Sequence, residues 1–396
     1  MKILTISTLY PNASNPRHGI FVETRLRQLK KHYPQTEITV IAPVPWFPFS
    51  HPVFGQYSEY ASVPFTESRH GIRIYHPRYL VIPKLGMSLT PSTLAYSLRK
   101  QIEYLTRQGF EFDLIDGHYF YPDGVAIAAV ASTVKKPFTM TARGTDINLI
   151  PAYPKARKRI QQVLSVSNHN LAVCEALRQS MIELGAAPDR VSTLRNGVDL
   201  ELFSFSDESQ QPALRQALNL PLNVPVILSV GLLVDRKGHH LVIEALRHIP
   251  DALLLIAGTG PKAKALAALA KQQGVDQRVR FLGKLSQEEL SVYYGAADLL
   301  ALASDREGWA NVLLESMACG TPVVATNIWG TPEVVRKPQA GTLVERNVTA
   351  IADGIRQLLN KPFSRAETRH YAEQFDWSAT SEGQYQLFNR LIKDAS

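Results

Sequence analysis

Residues 226–274 read "VILSVGLLVDRKGHHLVIEALRHIPDALLLIAGTGPKAKALAALAKQQG". "VILSVG" is a short, almost wholly apolar run that stops at a glycine, and "ALLLIAG" repeats the pattern. Between and after them, "HHLVIEALRHI" and "PKAKALAALAKQQG" carry apolar residues at helical spacing. A run apolar on both faces suits a strand covered on both sides, and such strands alternating with helices predict parallel βαβ units. The alternation continues through "VRFLGKL", "SQEELSVYYGAA", "DLLALAS", "ANVLLESMACG" and "PVVATN".

Upstream, the same alternation runs through "KILTIST", "FVETRLRQLKKH" and "EITVIAP", then "FDLIDGH", "GVAIAAVAS" and "KPFTMTA". It breaks at the polar, proline-containing connector "DESQQPALRQALNLPLNVP" and then restarts from zero. This predicts α/β architecture with two doubly wound parallel-sheet domains: residues 1–198, residues 199–370, and a helical segment 371–396 with no strand after it, expected to return to the first domain. Open α/β sheets bind ligands at the carboxyl ends of their strands, so the expected site is a cleft between the domains.

The bulk numbers agree with a globular two-domain protein. The chain has 396 residues, 45% hydrophobic and 20% charged, long enough for two cores. Two cysteines, Cys174 and Cys319, cannot form a disulfide framework, so a cytoplasmic setting is expected. "MKILTISTLYP" is too short and too interrupted for a signal peptide and reads as a first strand. No run reaches the length of a membrane span. The net charge of +8 is uneven: residues 1–198 hold 23 Lys and Arg against 13 Asp and Glu, and residues 199–396 hold 20 against 22. A basic half suits an anionic membrane surface, an acidic substrate or nucleic acid, or serves only solubility.

The densest chemistry lies in residues 304–333, "SDREGWANVLLESMACGTPVVATNIWGTPE". A strand ends at Ser304, and a helix is expected to begin near Trp309 or Ala310. Its free amides form an anion site, flanked by Glu307 in the loop and Glu315 within the helix. Gly320 stops that helix and Pro322 follows. Thr331, Pro332 and Glu333 read as N-cap, first position and first turn of another. An anion cradle beside carboxylates suits a ligand with both phosphate and hydroxyls, because a carboxylate accepts two hydrogen bonds from a diol. Taken singly, Glu307 also reads as a loop acid and Glu315 as a solvated helix position.

"EGWANVLLE", a Glu, seven residues and a Glu, followed by "SMACGTPVVAT", closely resembles the donor-site signature of the family-4, glycogen-synthase-like retaining glycosyltransferases of GT-B fold. "SVGLLVDRKG", "IAGTGP" and "FLGKLSQEELSVYYGAADLLALAS" resemble the segments that lead to it. "YPNASNPRHGIFVETRLRQL", "DGHYFYPDG", "TARGTDI" and "RNGVD" match in type and order in the first half, so the resemblance spans nearly the whole chain. It implies a nucleotide-sugar donor, a uridine diphosphate sugar first and a guanosine diphosphate sugar second, a glycan or lipid-linked acceptor, transfer with retention, and no metal or other cofactor. Glu315 would then bind the ribose, and Glu307 the transferred sugar with amides of Gly308, Trp309, Ala310 and Asn311. Lys237 with Arg236 would neutralise the leaving diphosphate. His118 would contact the donor sugar. Gly19, Gly231 and Gly260 would let the donor approach the backbone. Arg143, Thr145 and Asp146 would lie on the acceptor side, or form no more than a capped turn. The chain departs from the family at Leu232, where Arg is frequent, and at Trp329, where Gly is frequent. Trp329 reads equally as a stacking platform and as a core plug.

Three other readings remain at this level. Gly258, Gly260 and Ala263 fit a dinucleotide fingerprint, G-x-G-x-x-A, but Pro261 occupies the helix start. A sugar-nucleotide epimerase and a non-catalytic binder fit the two-domain architecture. A metal-dependent transferase would want an Asp-x-Asp pair, which the sequence lacks. Finally, "PVPWFPFSHPVF" (43–54) reads as a long loop whose Trp46, Phe47, Phe49 and Phe54 suit either a membrane interface or a core flap. "KARKR" (155–159) reads as a solvated basic helix face or as a contact to an anionic membrane surface.

Overall fold

The structure, a computed structural model, describes residues 1–51, 53, 55–81, 86–360 and 363–395. Phe54 lies outside them. The chain forms two compact units, Met1–Asn196 with Ser378–Ser396, and Gly197–Trp377.

The first unit is built on an eight-stranded sheet. In spatial order its strands are Val191–Thr193, His169–Ala172, Phe138–Ala142, Leu114–His118, Lys2–Ile6, Glu37–Ile41, Ile72–Tyr75 and Thr66–Arg69. All pair in parallel except Thr66–Arg69, which returns antiparallel along Ile72–Tyr75. The five residues of Leu114–His118 are all buried, as a strand covered on both faces requires. Helix Ile20–His32 sinks Val22, Leu26 and Leu29 into the core at helical spacing.

Helix Ser378–Asp394 inserts Leu387, Phe388 and Leu391 into that same core. Tyr385 stacks on Tyr33 with ring centroids 3.9 Å apart. Beneath these contacts lies a polar link. Arg25 is fully buried, and burial pushes its guanidinium down to about 10 against the pull of Asp116. It donates to Gln384 Oε1 at 2.9 Å and to the Leu194 carbonyl at 3.2 Å. A buried charge is costly unless it is hydrogen-bonded; Arg25 Nη2 has no partner among the described residues, so the acceptor that the C-terminal helix brings to Nε matters all the more to the first unit.

The second unit has a six-stranded, wholly parallel sheet in the order Val279–Gly283, Leu253–Ala257, Val226–Val230, Leu299–Leu302, Val323–Thr326 and Gly341–Val344. Its central strands are buried throughout. Capping boxes at Ser286–Glu289 and Ser364–Glu367 start two of its helices. Arg365 fastens one edge by donating to the carbonyls of Ser206, Gly295, Ala297 and Cys319 and to the Thr321 hydroxyl.

Three local expectations differ from the structure. The helix of the signature begins at Asn311, with Ala310 as its cap residue. Thr331 is not an N-cap: Gly330 holds that place, and the Thr331 hydroxyl turns back to the Thr326 carbonyl at 2.6 Å and the Ile328 carbonyl at 2.7 Å. The 43–54 stretch is not wholly loop, because Val44–Pro45 pairs in parallel with Arg78–Tyr79. Among the described residues no helix is long and apolar enough to cross a membrane.

Gln384→Leu keeps the shape of the C-terminal helix but strips an acceptor from the buried Arg25. The expected loss is about 1.5–3 kcal/mol of unfolding free energy, the range for hydrogen bonds to charged groups, read by urea denaturation; an unchanged midpoint would refute the link.

Candidate active site

In the second unit the turns after the central strands converge on one carboxylate. The strand Val226–Val230 ends at Gly231, whose φ of 154° and missing Cβ leave room for the Lys237 side chain; a Cβ would stand 3.2 Å from its Cδ. Gly238 sits in the left-handed region at φ 68°, with the Ala303 carbonyl 2.0 Å from where its Cβ would be. These two positions admit only glycine without a backbone shift. Together they aim the turn Asp235–Lys237 at the loop after Leu299–Leu302.

Glu307 lies in that loop, 9% exposed. Its carboxylate pairs with the Lys237 ammonium, accepts from Ser304 Oγ at 2.7 Å, and has Arg236 Nη1 4.0 Å away. Burial pushes the carboxyl up, but Lys237, Ser304 and Arg236 outweigh it and hold it below the usual carboxylate range. Glu307 is therefore ionised at neutral pH. Ser304 is itself fixed, because Thr326 donates to its carbonyl at 2.7 Å.

Glu315 stands just over one turn along the helix Asn311–Ala318 and behaves oppositely. Burial raises its carboxyl to about 7, and a hydrogen bond from Tyr294 at 3.0 Å pulls it back only partly. Two acids within one signature thus have different protonation at pH 7 because one has a cation and the other a neutral phenol. Gly308, Trp309 and Ala310 are buried between them, and Trp309 keeps its indole Nε1 without a partner among the described residues. Gly260 packs on Leu233, with that residue's carbonyl 2.5 Å from the place of its Cβ. Leu232, where the family favours Arg, is 57% exposed. Trp329 is half-buried with φ 44°; a residue in the left-handed region explains why glycine suits this position.

In the first unit a second polar cluster closes on His118. The ring is fully buried. Arg143 Nη2, which can only donate, reaches Nδ1 at 2.7 Å, so Nε2 carries the proton and donates to Asp116 Oδ2 at 3.1 Å. Burial depresses the imidazole to about 4, against the opposing pull of Asp116, so it is neutral. Arg143 also meets Asn196 Oδ1 at 3.4 Å and lies over the Phe21 ring at 5.2 Å. Asp146 accepts at Oδ1 from the amides of Arg143 and Gly144 in its own turn, and at Oδ2 from the Phe120 amide in the segment after the strand Leu114–His118. Thr145 starts the four-residue helix that follows. Gly19, at φ 68°, packs on its own chain: a Cβ would meet the Leu9 carbonyl at 2.3 Å. The structure thus brings Lys237, Arg236 and Glu307 together, and His118 with Arg143.

Four supporting residues escaped the sequence reading. Ser304, Tyr294 and Asp116 hold Glu307, Glu315 and His118. Asp123 is a buried carboxyl that accepts from the Thr8 amide at 2.6 Å and hydroxyl at 2.9 Å, and burial raises it to about 7. All four lie inside segments quoted above, Asp116 and Asp123 in "DGHYFYPDG", Tyr294 in "SVYYGAA" and Ser304 at the head of the signature, but nothing local shows which side chain each one holds.

Comparison with solved structures shows the same fold. Sucrose-phosphate synthase from Thermosynechococcus elongatus matches with a TM-score of 0.80 over 100% of both chains at 20% identity. Anabaena HepE, solved in complex with UDP, matches with a TM-score of 0.75 over 98% of this chain and 100% of its own at 21% identity. Fold and signature define a GT-B glycosyltransferase. The pattern of the family Glycosyltransferase Family 4 matches residues 22–202 and that of Glycosyl transferases group 1 matches residues 210–375. A Bacillus subtilis (strain 168) protein that bears the name of a teichuronic acid biosynthesis glycosyltransferase, TuaC, is 30% identical over 90% of this chain and 88% of its own. The D-inositol 3-phosphate glycosyltransferase of Mycobacterium leprae (strain Br4923) is 34% identical over 59% of this chain and 57% of its own. The chain belongs to the family-4 glycosyltransferases.

Lys237→Met leaves the buried Glu307 carboxylate short of its main cation. Breaking a buried pair from one side is expected to cost about 3 kcal/mol of stability. The double variant Lys237→Met/Glu307→Leu, which removes both charges, is expected to recover most of it. Urea unfolding of the three proteins checks this, and equal stability of wild type and Lys237→Met would break the argument.

Proposed function

We propose that this protein transfers a sugar, with retention of anomeric configuration, from a nucleoside diphosphate sugar to a glycan or lipid-linked acceptor in the synthesis of a cell-surface polysaccharide, and that it needs no metal ion to do so. The observation that carries the reading is the buried, ionised Glu307 held by Lys237, Arg236 and Ser304 at the strand ends of the second unit. The solved HepE complexes with UDP and with UDP-glucose favour a uridine diphosphate donor, and the name of the TuaC relative favours a wall or surface polysaccharide.

The roles follow from charge. When the bond from the sugar to the diphosphate breaks, negative charge grows on the departing oxygen, and preorganised cations lower that barrier most effectively in a partly buried site. Lys237 and Arg236 supply them. As the diphosphate takes up those cations, the Glu307 carboxylate turns to hydroxyls of the transferred sugar, assisted by amides at the start of Asn311–Ala318. Glu315 accepts from the ribose hydroxyls. In the first unit His118 stays neutral with both ring nitrogens committed, so it is a positioning residue acting through Arg143.

This predicts a pH signature. A carboxyl near 7 binds hydroxyl donors best when ionised, so below pH 7 donor affinity should fall by up to about tenfold per unit, the limit for one titrating group. Steady-state KM for the donor measured from pH 5.5 to 8 reads this, at ~0.5-unit steps that resolve a single titration. Glu315→Gln should raise KM at high pH and flatten the profile. A wild-type KM that does not move across the range would remove Glu315 from the ribose.

The decisive experiment is transfer from UDP-glucose in excess chelator, with the product read by proton NMR. An anomeric coupling matching the donor's supports the reading. An inverted product, or activity that vanishes on chelation and returns with magnesium or manganese, would overturn it.

A further inference from the structure

One face of the first unit gathers large apolar side chains that no core explains. Trp46, Phe49, Leu80, Met87, Leu89 and Tyr153 are each at least 42% exposed. Scattered exposed apolar residues are normal on a protein surface, whereas contiguous ones mark an interaction site. Here hydrogen bonds join the segments. The Trp46 amide donates to the Tyr79 carbonyl at 2.7 Å, which sets Trp46 beside Leu80. The Leu80 carbonyl accepts from Thr93 Oγ1 at 2.7 Å, on the helix Gly86–Arg107 that begins with Met87 and Leu89. The Ser88 carbonyl accepts from Arg159 Nη1 at 3.0 Å, which ties that helix start to helix Pro154–Val166. The Phe47 ring lies 6.1 Å from Phe49 and 5.3 Å from Tyr57, so the loop after Trp46 is continuous with the next helix.

Helix Pro154–Val166 supplies the charge. It buries Ala156, Ile160, Val163 and Leu164 and turns Lys155, Arg157 and Lys158 to solvent, with Tyr153 exposed at its start. Across residues 44–65, 78–93 and 151–162 the sole acid is Glu59. A surface of aromatic and aliphatic tips from several elements, bordered by a basic helix and almost free of acids, matches the chemistry of an anionic bilayer. Aromatic rings settle at headgroup depth, and lysines and arginines meet the lipid phosphates.

We propose that this face docks the protein on an anionic lipid bilayer, with Trp46, Phe49, Met87 and Leu89 entering the interface and Lys155, Arg157 and Lys158 on the headgroups. The docking is independent of the donor chemistry, since none of these residues belongs to the site described above. It gives a glycosyltransferase with no membrane-spanning helix among its described residues a way to meet a lipid-linked acceptor.

The test is cosedimentation of the full chain with phosphatidylcholine vesicles and with vesicles that also contain phosphatidylglycerol, at low and high salt. Binding should be confined to the anionic vesicles and should weaken with salt. Each lysine near an anionic surface strengthens partitioning by about fivefold, so Lys155→Ser/Lys158→Ser should bind about 30-fold more weakly. Trp46→Ser, at an exposed position where folding is not at stake, should weaken binding at both salt levels. Its circular dichroism and donor turnover in solution should stay those of wild type. Equal binding to both vesicle types, or wild-type binding by both variants, would overturn the proposal. So would a concentration-dependent dimer that Trp46→Ser abolishes in the absence of lipid, since the face would then be covered by a second copy.

Discussion

A buried carboxylate needs a cation, and in the second unit that need organises the turns. Glu307 sits where water cannot fully solvate it, and Lys237 reaches it from 70 residues earlier in the chain. For the ammonium to arrive, the turn after Val226–Val230 must fold against the loop that follows Leu299–Leu302. That in turn requires Gly231 and Gly238, whose missing side chains make the space. The strand ends, the glycines and the acid form one arrangement. A ligand that brings its own negative charge enters a site already poised between an ionised acid and two cations.

The contrast with Glu315 shows how finely environment divides residues of one type. Both acids lie in the same signature, and burial acts on both in the same direction. One has a lysine and falls below the ordinary range; the other has only a tyrosine hydroxyl and rises to about 7. His118 makes the same point for bases. Its ring keeps company with a carboxylate and a guanidinium at once, and burial decides the outcome in favour of the neutral form.

Much of the architecture was legible in the sequence because parallel sheets write themselves as apolar runs between amphipathic helices, and both halves of the chain do so. The signature from Ser304 to Glu333 named the two acids, and "DRKG" named the cations. What the sequence did not display was who meets whom. Pairing across 70 residues leaves no local pattern, and neither does the Tyr294–Glu315 bond. Arg25 reads as one more charge on a basic amphipathic helix, yet it is buried, because its partner Gln384 lies 359 residues away. Thr331 looked like a helix cap because its side chain and place in sequence fit one; in the structure its hydroxyl has nearer carbonyls to bond.

The helix Ser378–Asp394 carries a consequence for how the molecule is made. It is translated after the second unit, but it belongs to the first. During synthesis the first unit must therefore wait, its Arg25 and the apolar groove above Val22 and Leu26 uncovered, while the whole of the second unit emerges and folds. Domains generally mature in the order in which they leave the ribosome; here the one that starts first closes last. The nascent chain spends that interval with an open core, when a chaperone's grip matters most, and a message cut short near its end would yield an intact second unit attached to a first unit that has never closed.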